Sequence, residues 1–226
     1  MKTPTYLFLF ILITACQPIC LLGEVSSDPD PTRFAETIAG FAAADSGAPL
    51  PTGGIVFVGS SSIRRMDVPK FLPKIEALNR GFGGSHISDV NHYIEETVLK
   101  YRPSITVFYC GGNDIWSGKS PIQVLEDFRE FYGKLFDSVP NNQLLLLASR
   151  PSPKRHTGFN TELALNYLFQ MEAGKDDRII YLSGACDRFF DEDGNFFHGL
   201  YHNDQLHMSE AGYRIWQEIL TPHLTR

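Results

Sequence analysis

Cysteine is scarce: the chain has four, at positions 16, 20, 110 and 186, with no CxxC pair and no Cys/His spacing of a zinc site. That excludes a disulfide-built scaffold, and no structural metal or cofactor is expected. Runs of Lys or Arg are missing, and 26 acidic against 20 basic residues give a formal net charge of −6. A chain of that balance lacks the electrostatic footprint of a nucleic-acid binder. No apolar stretch approaches the roughly 20 residues of a membrane-spanning helix, and neither an internal repeat nor an HExxH motif occurs. What is present is 43% hydrophobic content over 226 residues, enough to fill a sizeable core.

The first residues have the character of a targeting signal. Lys2 precedes a short apolar run from Tyr6 to Ile13, the layout of a secretory leader. Ile13-Thr14-Ala15-Cys16 resembles the lipobox of bacterial lipoproteins, where the cysteine sulfur is lipidated and the chain is cut before it. Gln17 resembles the outer-membrane sorting pattern of Gram-negative lipoproteins, and an ordinary leader cut before Glu24 is the alternative. Val25 to Pro31 is polar and proline-rich, as a tether is. The expected organisation is a leader over 1–15, an anchor and tether over 16–30 with Cys16 lipidated, and one domain over 31–226. Such a protein is exported to the cell envelope and meets the membrane only through its lipid.

Within the domain, strand and helix patterns alternate. A helix is expected from about Thr32, with Phe34, Ile38 and Phe41 on one face, ending at the breaker cluster from Gly47 to Gly54. All-apolar runs, the mark of strands buried on both faces, occupy Ile55–Val58, Ile105–Tyr109, Gln143–Ala148 and Arg178–Leu182, with a weaker one at Ile75–Asn79. Helices are expected over Ile87–Lys100, Pro121–Asp137, Asn160–Glu172 and Ser209–Thr221. This alternation predicts a three-layer α/β/α sandwich around a mostly parallel five-stranded sheet. Ligands in such folds bind beyond the carboxyl ends of the strands.

Those ends carry chemistry. Gly59-Ser60-Ser61-Ser62 follows the first strand, Gly81-Phe82-Gly83-Gly84 the second and Gly111-Gly112-Asn113-Asp114 the third; Asp204 and His207 precede the last helix. A spacing of three in a turn puts carboxylate and imidazole on one side, so the aspartate can hold Nδ1–H while Nε2 faces elsewhere. A serine hydroxyl is a weak nucleophile until such a histidine takes its proton. Gly84 and Asn113 are candidate donors to the oxyanion that forms on acyl transfer.

Taken in order over about residues 53 to 222, these four segments resemble the blocks of the SGNH hydrolases, the GDSL-type esterases and lipases. The resemblance makes Ser61 the nucleophile, Ser61 N–H, Gly84 and Asn113 the oxyanion donors, and Asp204 and His207 the other triad members. It implies a flavodoxin-like sheet and metal-independent ester or thioester hydrolysis through an acyl-enzyme. Ser60 stands where the family has aspartate. The expected substrate is a small-molecule or glycan ester, foremost a short acyl group on a carbohydrate. Lysophospholipid or thioester cleavage, acyl transfer, and an inactive binding lipoprotein are the alternatives.

Other features read more simply. Gly81 to Gly84 lacks the third glycine of a dinucleotide fingerprint, since His86 stands there. His198 and His202 belong to a surface loop, Asp191 to Asn195 forms a turn, and Asp114 holds its own loop. Arg150 is assigned to a rigid loop with a possible role toward an anionic or sugar substrate, Trp116 and Tyr109 are left open, and Cys110 and Cys186 are two buried thiols.

Overall fold

The computed structural model describes residues 28–47 and 52–225. Cys16 and the leader lie outside the described residues. Five strands, β1 (Ile55–Gly59), β2 (Ala77–Gly81), β3 (Ile105–Tyr109), β4 (Gln143–Leu147) and β5 (Ile179–Leu182), form one sheet in the order β2-β1-β3-β4-β5, every pair parallel. The helices are α1 (Ala35–Asp45), α2 (Ser61–Arg64), α3 (Val68–Phe71), α4 (Ile87–His92), α5 (Ile94–Thr97), α6 (Gly112–Trp116), α7 (Pro121–Ser138), α8 (Phe159–Ala173), α9 (Gly184–Asp187) and α10 (Glu210–Leu224).

The period of two along each strand sorts side chains into two cores. Val56, Val58, Phe108, Leu144 and Leu146 face one way, against Val90 of α4, Phe128 and Phe131 of α7 and Phe169 of α8. Phe57, Val107, Leu145 and Leu147 face the other, against Ile63, Phe71, Trp216 and Leu220. Both faces of the sheet are covered, which is why its strands are continuous apolar runs. Cys110 belongs to the first core and Cys186 to the second, and both are free thiols.

The three-layer architecture matches the sequence pattern, with three local differences. The helix expected over 87–100 is broken into α4, α5 and a 3-10 turn at Leu99–Tyr101. Tyr93 and Val98 leave helical geometry there, and Thr97 Oγ1 donates back to the Tyr93 carbonyl at 2.7 Å, a bond that bends helices. Strand β2 begins two residues later than expected, because the Ile75 N–H closes a turn on the Leu72 carbonyl. Helix α10 runs through Pro222 to Leu224 rather than stopping at Thr221, its last turn held by buried Leu220 and Leu224. Residues 28–30 also pack on the domain: Asp28 accepts from Ser88 and pairs with buried Lys119, and Asp30 caps the turn Pro31–Phe34.

The order of strands reverses direction between β1 and β3, so the crevice at their carboxyl ends is the topological switch point. Gly59 ends β1 there with φ +136, and a Cβ on it would stand 1.9 Å from the Tyr109 carbonyl oxygen. Only glycine fits, in both conformation and space. Gly59→Ala is therefore expected to cost more than about 3 kcal/mol in urea unfolding; a loss of under about 1 kcal/mol would mean that the two strand ends are not this close.

Candidate active site

The turn after Gly59 separates three consecutive serines. Ser60 is buried at 6% exposure and donates its N–H to the Tyr109 carbonyl at 3.0 Å. Ser62 is buried too, its carbonyl accepting from Tyr213 Oη at 2.9 Å. Ser61, the first residue of α2, is the half-buried one, and its Oγ lies 3.2 Å from His207 Nε2.

His207 arrives from the other end of the chain on a pinned turn. Tyr201 bridges Met208, His202 N–H donates to the His207 carbonyl, and Gln205 adopts φ +52 to close the reversal. Asp204 Oδ1 accepts from the N–H groups of Leu206 and His207, both at 2.9 Å, and Oδ2 lies 2.7 Å from His207 Nδ1. With Nδ1–H committed to Asp204, Nε2 is left as the acceptor for the Ser61 hydroxyl.

The electrostatics keep this tautomer in place. Burial alone would raise the Asp204 carboxyl, but hydrogen bonds from the His207 imidazole and from two backbone N–H groups hold it well below the usual carboxylate range. Burial lowers the His207 imidazole; the Asp204 hydrogen bond opposes this, and the nearby Arg65 and Arg150 charges add to the lowering. The net shift is downward from 6.5, so the imidazole is a neutral base at neutral pH.

Gly84 and Asn113 stand across from this line. Gly84 has φ +87 with open space where a Cβ would be, and both residues line the same cleft as Ser61 and His207. Asn113 Oδ1 accepts from Arg155 at 3.0 Å and Nδ2 donates to the Ser85 carbonyl at 3.0 Å. That fixes which way the amide points and leaves its second amide hydrogen for a ligand. Asp114 is fully buried, accepts from Ile87 N–H and sits 3.8 Å from Lys119. Burial pushes it up to about 8, and its place is beneath the site, joining α6 to α4.

The cleft has a volume of about 290 Å³. The structure thus brings together Ser61, Gly84, Asn113, Asp204 and His207, while Cys16 lies outside the described residues. Sequence reasoning missed four features of the lining: Arg64 and Arg65 beside Ser61, Arg155 against Asn113, and buried Glu162. Arg64 and Arg65 are the one adjacent arginine pair in the chain, a signal that was available. Trp116, left open from sequence, is exposed and stacks with Arg155 at 5.2 Å. Arg150 is more than part of a rigid loop: it is buried and lines the cleft.

With fold and site in view, the family follows. The model of the GDSL-like Lipase/Acylhydrolase family matches residues 65–215, about two thirds of the chain, and the chain belongs to that family of ester hydrolases. The match begins four residues after Ser61, which geometry rather than the match joins to His207. Solved structures share the fold: a protein from Streptococcus pneumonia named for platelet activating factor has a TM-score of 0.75 at 18% identity, over 85% of this chain and 93% of that one. A GDSL-like lipase from Bacteroides thetaiotaomicron has a TM-score of 0.69 at 17% identity, over 86% and 97%. The acetylxylan esterase Axe2 from Geobacillus stearothermophilus has 0.62 at 13%, over 79% and 97%. None of the curated proteins compared matches.

The site's electrostatics give a spectroscopic expectation. The His207 ring, followed by NMR, is expected to titrate below 6.5 and lower still in Asp204→Asn, which removes the acceptor that opposes burial. An unchanged titration in that variant would show that the Asp204–His207 bond is not made in solution.

Proposed function

We propose that this hydrolase is a serine esterase that removes a short acyl group, acetyl foremost, from a carbohydrate. The observation that carries the mechanism is the continuous line from Asp204 through His207 to Ser61. Ser61 Oγ attacks the acyl carbon while its proton passes to His207 Nε2, and Asp204 steadies the imidazolium. The negative charge that forms on the carbonyl oxygen is received by the N–H groups of Ser61 and Gly84 and the Asn113 amide. Collapse breaks the bond to the alcohol oxygen, which takes the proton from His207. Water then repeats the sequence on the acyl-Ser61 ester, with His207 again as base, and releases the acid.

The lining supports a short acyl group and a polar alcohol. Serines, arginines, glycines and an asparagine dominate it, and Leu206 is its one aliphatic side chain. A long acyl chain would find no apolar slot among these residues, which disfavours the lysophospholipase reading. The acetylxylan esterase with the same fold supports the reading by analogy.

The test is acetate release from acetylated xylooligosaccharides. Ser61→Ala is expected to lower kcat by about 10⁴-fold or more, and Ser60→Ala by far less. Equal losses in the two variants would remove Ser61 from its role.

The export reading is likewise a proposal: Cys16 carries a lipid that holds the enzyme on the cell envelope. Metabolic labelling with a radioactive fatty acid is expected to mark the chain and to be lost in Cys16→Ser. Labelling that persists in that variant would contradict it.

A further inference from the structure

We propose that the alcohol half of the natural ester carries an anionic oxygen group, a carboxylate or a phosphate, received by Arg65 and Arg150 beside His207. The inference rests on the esterase reading and narrows its substrate. On a glycan it selects an acetylated uronic acid or sugar phosphate over a neutral sugar.

The charge of the cleft departs from that of the chain. The protein is acidic overall, at −6, yet four arginines line this cleft, Arg64, Arg65, Arg150 and Arg155, against one carboxylate, Glu162. Burial raises the Glu162 carboxyl, opposed by the hydrogen bond that its Oε2 accepts from Ser149 and by the Arg150 and Arg155 charges. Six arginines elsewhere pair with a carboxylate. Among the described residues, none of the four in the cleft has such a partner. Low-dielectric walls lined with one sign of charge concentrate ligands of the other.

Arg150 is the stronger half of the case. It is 5% exposed, lines the cleft, and has two buried nitrogens, Nε and Nη1, without a hydrogen-bond partner among the described residues. Its third, Nη2, donates to the Leu206 carbonyl, next to His207. Its charge is held between aromatic rings, with Cζ 4.8 Å from the Tyr201 centroid and 5.0 Å from that of Phe189. A buried guanidinium with unfilled donors in a ligand cleft is unusual unless an acceptor arrives.

Position assigns the anion to the alcohol half. Arg64 covers Gly83, next to Gly84, and Arg155 holds Asn113, so these two back the side that receives the carbonyl oxygen. Arg65 and Arg150 line the cleft with His207, Arg150 Nη2 donates to the carbonyl of the adjacent Leu206, and both charges act on the His207 ring. His207 hands its proton to the leaving alcohol, so the alcohol half lies on their side.

The test compares acetyl esters that differ only in charge: 4-acetoxybenzoate, its neutral isostere 4-acetoxybenzamide, 4-acetoxyphenyl phosphate, and phenyl acetate as reference. Each rate is normalised to the ester's own alkaline hydrolysis. The benzoate is expected to exceed the benzamide in kcat/KM by about tenfold, chiefly through KM, with the advantage shrinking as salt is raised. The ratio is expected to fall toward one in Arg65→Gln and in Arg150→Gln, and to survive in Arg65→Lys. Because it is a ratio, partial loss of folded enzyme does not move it. A larger gain for the phosphate ester than for the benzoate assigns a phosphate, and the reverse a carboxylate. Equal kcat/KM for benzoate and benzamide would overturn the inference and leave the esterase reading standing. No turnover of any ester, phenyl acetate included, would sink the esterase reading and this inference with it.

Discussion

The end of β1 is the constraint on which the site depends. β1 pairs with β2 on one side and β3 on the other, and at Gly59 the chain passes so near the Tyr109 carbonyl that no side chain fits. That close approach swings the following residues out of the sheet, so that three serines border the crevice and Ser61, the least buried of them, is the one within reach of His207. Gly84 and Asn113 follow the two neighbouring strands, and their nearness to Ser61 is a consequence of strand order rather than of any local motif. His207 then needs only to be delivered from the far end of the chain, and the turn from Tyr201 to Met208 does that with backbone hydrogen bonds.

Much of this was legible in the sequence because burial on both faces writes strands as apolar runs such as Ile55 to Val58 and Leu144 to Leu147. The Asp204 and His207 pair was legible because a spacing of three has one simple geometric meaning. The choice of Ser61 over Ser60 and Ser62 came from the family resemblance and not from the residues themselves, since physically it turns on a left-handed glycine and on contacts to Tyr109 and Tyr213 that come from distant elements. The break after His92 was hidden for a similar reason. Residues 87 to 100 contain no proline or glycine, and the chain bends through bonds that Tyr93 and Thr97 make in the folded state.

The cationic lining was the least legible feature. Its arginines come from two separate segments, 64–65 and 150–155, and what sets them apart is that none forms a salt bridge among the described residues, a property of the folded chain alone. Composition points the other way, since the net charge is negative. Together with the catalytic line, this polar and cationic lining is what the proposed short-acyl, charged substrate rests on. The same cations help to keep His207 neutral, so charge in the cleft serves the base as well as the proposed substrate.

The central claim is that Ser61, and no neighbouring serine, is the activated nucleophile. Treatment of the folded protein with a fluorophosphonate, followed by intact-mass and peptide mapping, tests it most directly, because such reagents require an activated serine. The expected result is a single adduct on Ser61, kept in Ser60→Ala and absent in Ser61→Ala. No adduct on folded protein, or an adduct on Ser60 or Ser62, would contradict the account.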